Sequence, residues 1–284
     1  MKISVGLPAC IPNTPADLIL EWARRADAGQ YASLGLIDRL VYPNYEPLIA
    51  LAGAAGATKR IRLMTTVLLA PLRNPAMLAK MTATLDALSG GRLTLGVGIG
   101  SRDDDYRAAG VDFTRRGRLF EAELALMKRV WAGEAPAEGV KPIGPAPVQQ
   151  GGPELLIGGF SPAAIKRVGR FGDGFISGGG ADPDRLRQSY QLVEASWQEA
   201  GRAGKPRLVA CLYYAFGPNA AERAWSYLTN YYGPQARNFI ALVDAPEKLN
   251  DLKQRFADVG VDELLCWPTI AEHEQLDRLS EATA

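Results

Sequence analysis

One histidine, His273, and three cysteines, Cys10, Cys211 and Cys266, in 284 residues deprive the chain of several common chemistries. His273 falls in the expected terminal helix, where it reads as a solvated surface residue. A histidine metal site, a Ser-His-Asp triad and a histidine proton shuttle therefore lack their central group. The cysteines are odd in number and far apart, which suits neither a disulfide framework nor a zinc site, and they read as core fillers. No metal is expected. Charge of one sign is also missing: the formal net charge is +1, so nothing argues for nucleic acid or a membrane surface as partner. No apolar run approaches the roughly 20 residues of a spanning helix, and the first residues lack a signal peptide's basic and apolar regions. What is present, 47% hydrophobic and 22% charged residues, suits one large domain over residues 1–284, expected in the cytoplasm.

The most informative stretch is Ile61 to Gly100. Ile61 to Ala70 is nearly unbroken apolar and β-branched sequence, the pattern of a strand buried on both faces. Asn74-Pro75 supplies an N-cap and a first-turn proline. Met77, Leu78, Met81, Leu85 and Leu88 form one helical stripe, and Gly90-Gly91 ends it. Arg92 to Gly100 is a second buried strand, completing a parallel βαβ unit.

The same alternation recurs along the chain. Further strands are expected at Ile3–Pro8, Leu34–Arg39, Glu154–Gly159, Gly174–Gly180, Arg207–Phe216 and Val261–Pro268. Helices are expected after Thr14-Pro15, with Asp17 completing a capping box, over Glu46–Lys59 and Thr114–Trp131, after Ser161-Pro162 and Asp182-Pro183, and from Asn219 with Glu222. Ser101–Asp112 reads as irregular, and residues 133–153 as an insertion or mobile loop between the fourth and fifth strands. Eight strands alternating with helices point to an α/β fold, the (β/α)8 TIM barrel, over a doubly wound sheet. Chemistry is then expected at the C-terminal ends of the strands.

Those ends carry Asp38 and Arg39, then Thr65, Thr66 and Val67, then Gly98, Gly100, Ser101 and Arg102. Gly158 and Gly159 end the fifth strand, Ser177, Gly178 and Gly179 the sixth, and Tyr213, Tyr214, Phe216 and Trp267 the last two, suggesting an aromatic pocket. Glycines there let backbone N–H groups approach a ligand, and Ser161 and Asp182 open helices just beyond. The pattern suits a phosphate at strands five and six and a flat group over strands three and four. Each glycine, taken singly, equally suits a tight turn. Asp38 and Arg39 equally suit an ion pair that orients a loop, and Ser101 to Asp105 a solvated segment. Gly96, Gly98 and Gly100 do not have the spacing of a dinucleotide fingerprint.

The run TTVLLAPLRNPAMLAKMTATLDALSGGRLTLGVGIG resembles the signature region of the bacterial luciferase-like family of flavin- and deazaflavin-dependent oxidoreductases, and Pro147 to Phe175 resembles its next signature. The resemblance implies a TIM barrel with a flavin ring at its mouth, against a strand-three bulge at Thr66-Val67 that often holds a non-proline cis peptide. It implies ring or ribityl contacts at Asp38 and Ser101, and a phosphate at Gly158, Gly159, Ser177, Gly178 and Gly179. Several members follow the strand-two acid with a proton-transferring histidine; here that position is Arg39, expected to stabilise negative charge beside Asp38. The activity implied is a monooxygenase using reduced FMN, supplied by a separate flavin reductase, and oxygen on a small organic substrate, with residues 133–153 closing the mouth. The alternatives are hydride transfer by coenzyme F420 without oxygen, and flavin binding without catalysis. A homodimer is implied as well.

Overall fold

The computed structural model describes residues 1–180 and 182–283. Among the described residues nine parallel strands are present: β1 (Lys2–Gly6), β2 (Ser33–Leu36), β3 (Arg62–Leu69), β4 (Leu93–Gly98), β5 (Glu154–Gly158), β6 (Gly174–Ile176), β7 (Arg207–Tyr214), β8 (Leu242–Val243) and β9 (Glu263–Pro268). Ladder order runs β6-β5-β4-β3-β2-β1-β9-β7, and a β6–β7 pairing closes the ring. The result is a closed eight-stranded (β/α)8 barrel, with β8 only extending the end of β7.

The helices are α1 (Ala16–Ala28), α2 (Pro47–Ala57), α3 (Pro75–Ser89), α4 (Asp103–Ala109), α5 (Arg116–Trp131), α6 (Pro162–Phe171), α7 (Pro183–Glu199), α8 (Ala220–Tyr232), α9 (Pro246–Val259) and α10 (Glu274–Thr283). One core lies between strands and helices, with Trp22, Leu51, Leu85, Phe120, Val193 and Phe256 among its members. A second fills the lumen through Met64, Leu156, Ile176, Val209, Cys211 and Leu265. At the N-terminal end of the barrel Arg207 pairs with Glu154 and Glu263, Arg62 with Glu154, and the Ser4 hydroxyl donates to Glu263. This polar plug satisfies charges that the lumen would otherwise strand.

Several expectations need correction. The stretch expected as irregular contains α4: three aspartates in its first turn suit the positive end of the helix, Tyr106 is buried, and Gly110 stops it left-handed. Between β7 and β9 lie β8 and α9, both unforeseen, although Pro246 and Gly260 bracket Leu249 and Phe256 at helical spacing. Asn219 adopts φ 55° and caps nothing with its side chain. Thr14 turns its hydroxyl to the carbonyls of Pro8 and Ile11, so the capping box does not form. His273 precedes α10, half-buried beside Trp22 rather than freely solvated.

Residues 133–153 do not close the mouth. Val148 and Gln149 donate backbone N–H groups to Asp86 near the end of α3, and the Gln149 amide donates to the Leu93 carbonyl at the start of β4. Because α5 runs back from the mouth, the connection into β5 starts at the opposite end of the barrel.

Candidate active site

β2 ends at Leu36, so Asp38 and Arg39 lie beyond the ladder and strand alternation does not orient them. The Asp38 carboxylate accepts the Leu69 N–H at 2.8 Å and a forked pair from Arg73 at 2.7 and 3.2 Å, which ties the end of β3 to the β2 loop. Arg39 goes the other way. Its buried guanidinium pairs with Asp105 at 3.1 Å and Asp104 at 3.2 Å, donates to the Val41 carbonyl, and lies 5.6 Å from the ring centroids of both Tyr42 and Tyr231. Both residues stand at the rim, and both charges are matched by neighbours on the chain.

The ladder between β3 and β4 breaks between Thr65 and Leu68, forming the bulge, and the Thr66-Val67 peptide is cis. The Thr65 hydroxyl donates to the Gly96 carbonyl at 2.7 Å, while a Cβ on Gly96 would sit 2.1 Å from the Thr65 backbone carbonyl oxygen. Val67 is half-buried at the mouth, and Cβ atoms on Gly98 and Gly158 would meet its methyls at 2.9 and 3.0 Å. Two glycines thus seat one valine and leave a low, apolar floor. Thr66 accepts a hydrogen bond from the Trp267 indole at 3.1 Å. Gly100 packs on Leu69, and Ser101 is exposed beside Arg102.

An aromatic wall rises from that floor. Trp267 lies 4.9 Å from Tyr213, whose hydroxyl shares a 2.8 Å hydrogen bond with Tyr232, and Tyr232 stands edge-on to Tyr231 and Phe239. Arg102 lies over Tyr231 and Tyr232 and donates to the Tyr231 carbonyl. Tyr213 and Trp267 belong to this wall, whereas the Tyr214 hydroxyl donates to the Gln275 carbonyl of α10 and the Phe216 backbone N–H to the Gln275 side-chain oxygen. Tyr42, Tyr231 and Tyr232 escaped the sequence reading. The aromatic run at the end of α8 was the available signal.

Beyond the wall, β6 ends at Ile176 and its glycines line a cleft of about 250 Å³ with Phe160, Asp182, Arg185, Tyr232 and Phe239. A Cβ on Gly178 would meet open space, whereas one on Gly179 would strike Tyr213 and Trp267 at 2.5 and 2.6 Å. Gly159, at φ 123°, is exposed ahead of the Ser161 N-cap of α6. Asp182 caps α7 by accepting the N–H groups of Asp184 and Arg185. The Ser177 hydroxyl is turned away from this cleft: it is buried and accepts the Cys211 N–H at 3.1 Å. Glycine backbone, a helix N-terminus and Arg185 make the cleft suited to an anion.

The phenols and thiols here hold their protons. Burial pushes the Tyr232 phenol up to about 12 and those of Tyr213 and Tyr231 well above their ordinary value. Burial likewise pushes the Cys10 and Cys266 thiols up to about 12, so neither is a thiolate nucleophile at neutral pH. The mouth therefore offers phenol donors and guanidinium groups.

Comparison with known proteins agrees with this geometry. The family model described as luciferase-like monooxygenase matches residues 1–265. An uncharacterised protein of Mycobacterium tuberculosis is 31% identical over 212 residues, covering 63% of this chain and 71% of its own length. A phthiodiolone/phenolphthiodiolone dimycocerosates ketoreductase of Mycobacterium bovis is 31% identical over 172 residues, covering 56% of this chain and 44% of its own length. Among solved structures, the monooxygenase RslO1 from Streptomyces bottropensis superposes with a TM-score of 0.79 at 20% identity, covering 99% of this chain and 97% of its own. An F420-dependent secondary alcohol dehydrogenase, in complex with an F420-acetone adduct, gives 0.79 at 20% identity over 99% and 98%. At that identity the two structures share the fold. Together with the glycine-seated bulge of β3, the match over residues 1–265 identifies the chain as a member of the luciferase-like monooxygenase family.

Proposed function

We propose that the protein is an oxidoreductase that holds a phosphorylated flavin or deazaflavin at the barrel mouth and acts on a small organic substrate. One observation carries the reading: the Val67 floor, seated on Gly98 and Gly158, adjoins through the Tyr213–Trp267–Tyr232 wall an anion-suited cleft at Gly178 and Gly179. In this reading Val67 lies under the ring, Thr66, Gly98 and Gly100 border it, and Gly158, Gly159, Gly178 and Gly179 with Arg185 hold the phosphate. When bound, such a cofactor supplies two-electron chemistry that no side chain of this chain can provide. Asp38 acts as a positioning residue by fixing the end of β3, and Thr65 locks the bulge to β4. Arg39, matched by Asp104 and Asp105, lends its order to the Tyr42–Tyr231 face rather than a free charge. The Tyr232 phenol, protonated at neutral pH, paired with the Tyr213 hydroxyl and bordering the cleft, is placed to donate a hydrogen bond to the phosphate.

Reduced FMN with oxygen, fed by a separate flavin reductase, and coenzyme F420 without oxygen are the two cofactor systems within this reading. Anaerobic titration with each, followed by oxygen and a panel of small alcohols, ketones and aromatics, tests it. FMN binding with oxygen-dependent product supports a monooxygenase, and F420 binding indifferent to oxygen supports hydride transfer. Binding of a cofactor with no turnover on any substrate supports a carrier, and binding of neither removes the reading. A homodimer belongs to the same proposal: Leu40, Ile49 and Met77 leave an exposed apolar groove between α2 and α3, and a one-chain mass by sedimentation would refute it. So does a cytoplasmic setting, which the three unpaired thiols favour and fractionation reads. Among the described residues no helix is long and apolar enough to cross a membrane.

A further inference from the structure

The glycine cleft does not end at the rim. It opens into an outer groove of about 530 Å³, the two sharing Gly180, Asp182, Arg185, Phe239 and Ile240. The outer groove adds Arg237 and Arg255, so three guanidinium groups line one channel. Arg237 stacks 4.4 Å from the centroid of Trp225 and Arg185 lies 5.2 Å from that of Phe160, and neither is ion-paired among the described residues. Arg255 is paired with Asp184 at 3.3 Å, but both side chains are solvated, and an exposed pair of this kind exchanges readily for a competing anion. Asp182, the other acid on the groove, turns its carboxylate to the N–H groups of Asp184 and Arg185. Stacking fixes two planar forks in advance, which reduces the ordering cost when they meet carboxylates.

FMN ends at its phosphate. Coenzyme F420 continues past a phosphodiester into a lactyl-oligoglutamate tail, a chain of carboxylates. We propose that the outer groove receives this tail, with Arg185, Arg237 and Arg255 as its partners, so that the site selects the deazaflavin over FMN. The inference rests on the cofactor reading above and chooses within it.

The test uses intact protein and three probes: F420 with its tail, the same deazaflavin trimmed back to its phosphate, and FMN. Dissociation constants are read from cofactor fluorescence at low and high salt, for the wild type and for the Arg237→Gln/Arg255→Gln double variant. The expected result is that tailed F420 binds the wild type at least about tenfold tighter than the trimmed form. That advantage shrinks in the double variant and at high salt, while the trimmed form keeps its affinity. Equal binding of tailed and trimmed forms, or FMN binding tighter than both, overturns the inference and leaves the cofactor reading standing. Binding of none of the three overturns both.

Discussion

Neighbouring residues of the same type do different work at this mouth, and substitutions separate them. Gly178→Ala adds a methyl to open cleft, so stability should stay within about 0.5 kcal/mol of wild type while cofactor affinity falls about tenfold. Gly179→Ala drives a methyl into Tyr213 and Trp267 and should cost about 1–3 kcal/mol of unfolding free energy. Denaturant unfolding paired with cofactor titration reads both, and identical behaviour of the two variants would refute the assignment. Arg39 poses a different question. Its removal strands the Asp105 carboxylate, which is 1% exposed and keeps only the N–H groups of Leu40 and Val41. Arg39→Ala should therefore cost about 3 kcal/mol. The Arg39→Met/Asp105→Asn pair should recover most of that, because no buried charge is left alone. Recovery of stability without recovery of turnover would return Arg39 to a direct role in the chemistry. The sequence places Asp38 and Arg39 at the rim, yet their partners Arg73, Asp104 and Asp105 come from segments up to 66 positions away, and no local pattern encodes those meetings.

Elements were legible where one period ran uninterrupted. β3, α3 and β4 follow from an apolar run, an N-cap and a glycine stop, and the Asn74 side-chain oxygen does accept the N–H groups of Ala76 and Met77. Met77 and Leu88 of the expected stripe are exposed, however, and α3 buries Leu78, Ala79, Ala83 and Leu85 instead. α9 was missed because its apolar positions are sparse and its outer surface is highly charged. The 133–153 segment was placed at the wrong end because composition shows that a segment is irregular, while only the direction of α5 decides which rim it joins. α5 also carries a consequence that no sequence pattern exposes. Burial pushes the Glu123 carboxyl up to about 7, and its Oε2 is buried without a partner. Folding thus favours the protonated form. Glu123 adds full stability below its unfolded pKa of 4.5, and that contribution falls as pH rises through about 7. Thermal midpoints should decline from pH 5 to pH 7.5 more steeply in the wild type than in Glu123→Gln, which carries no titrating group there. Parallel profiles would show that water reaches the carboxylate.

At the scale of the whole barrel, the two ends divide stability from chemistry. The C-terminal end carries glycine seats, exposed backbone and an aromatic wall, and its charged groups are spread around the rim. The N-terminal end is plugged by Arg207 between Glu154 and Glu263, with Arg62, Thr94 and Ser4 completing the network. Glu263 is 1% exposed and depends on Arg207 and the Ser4 hydroxyl, so Arg207→Leu leaves a buried carboxylate without its cation. The expected cost is about 3–5 kcal/mol. The double variant Arg207→Leu/Glu263→Gln should regain much of it, because the lumen is otherwise apolar and an amide still accepts from Ser4. Since the lumen packing of Met64, Leu156 and Leu265 stands between plug and mouth, cofactor affinity in the folded fraction should change less than about threefold in either variant. Gly178→Ala should give the opposite pattern, weak binding on an undiminished fold. A plug variant that lowered stability and cofactor affinity together would mean that the barrel transmits strain along its axis, and the mouth could then no longer be treated as a site built on a rigid support.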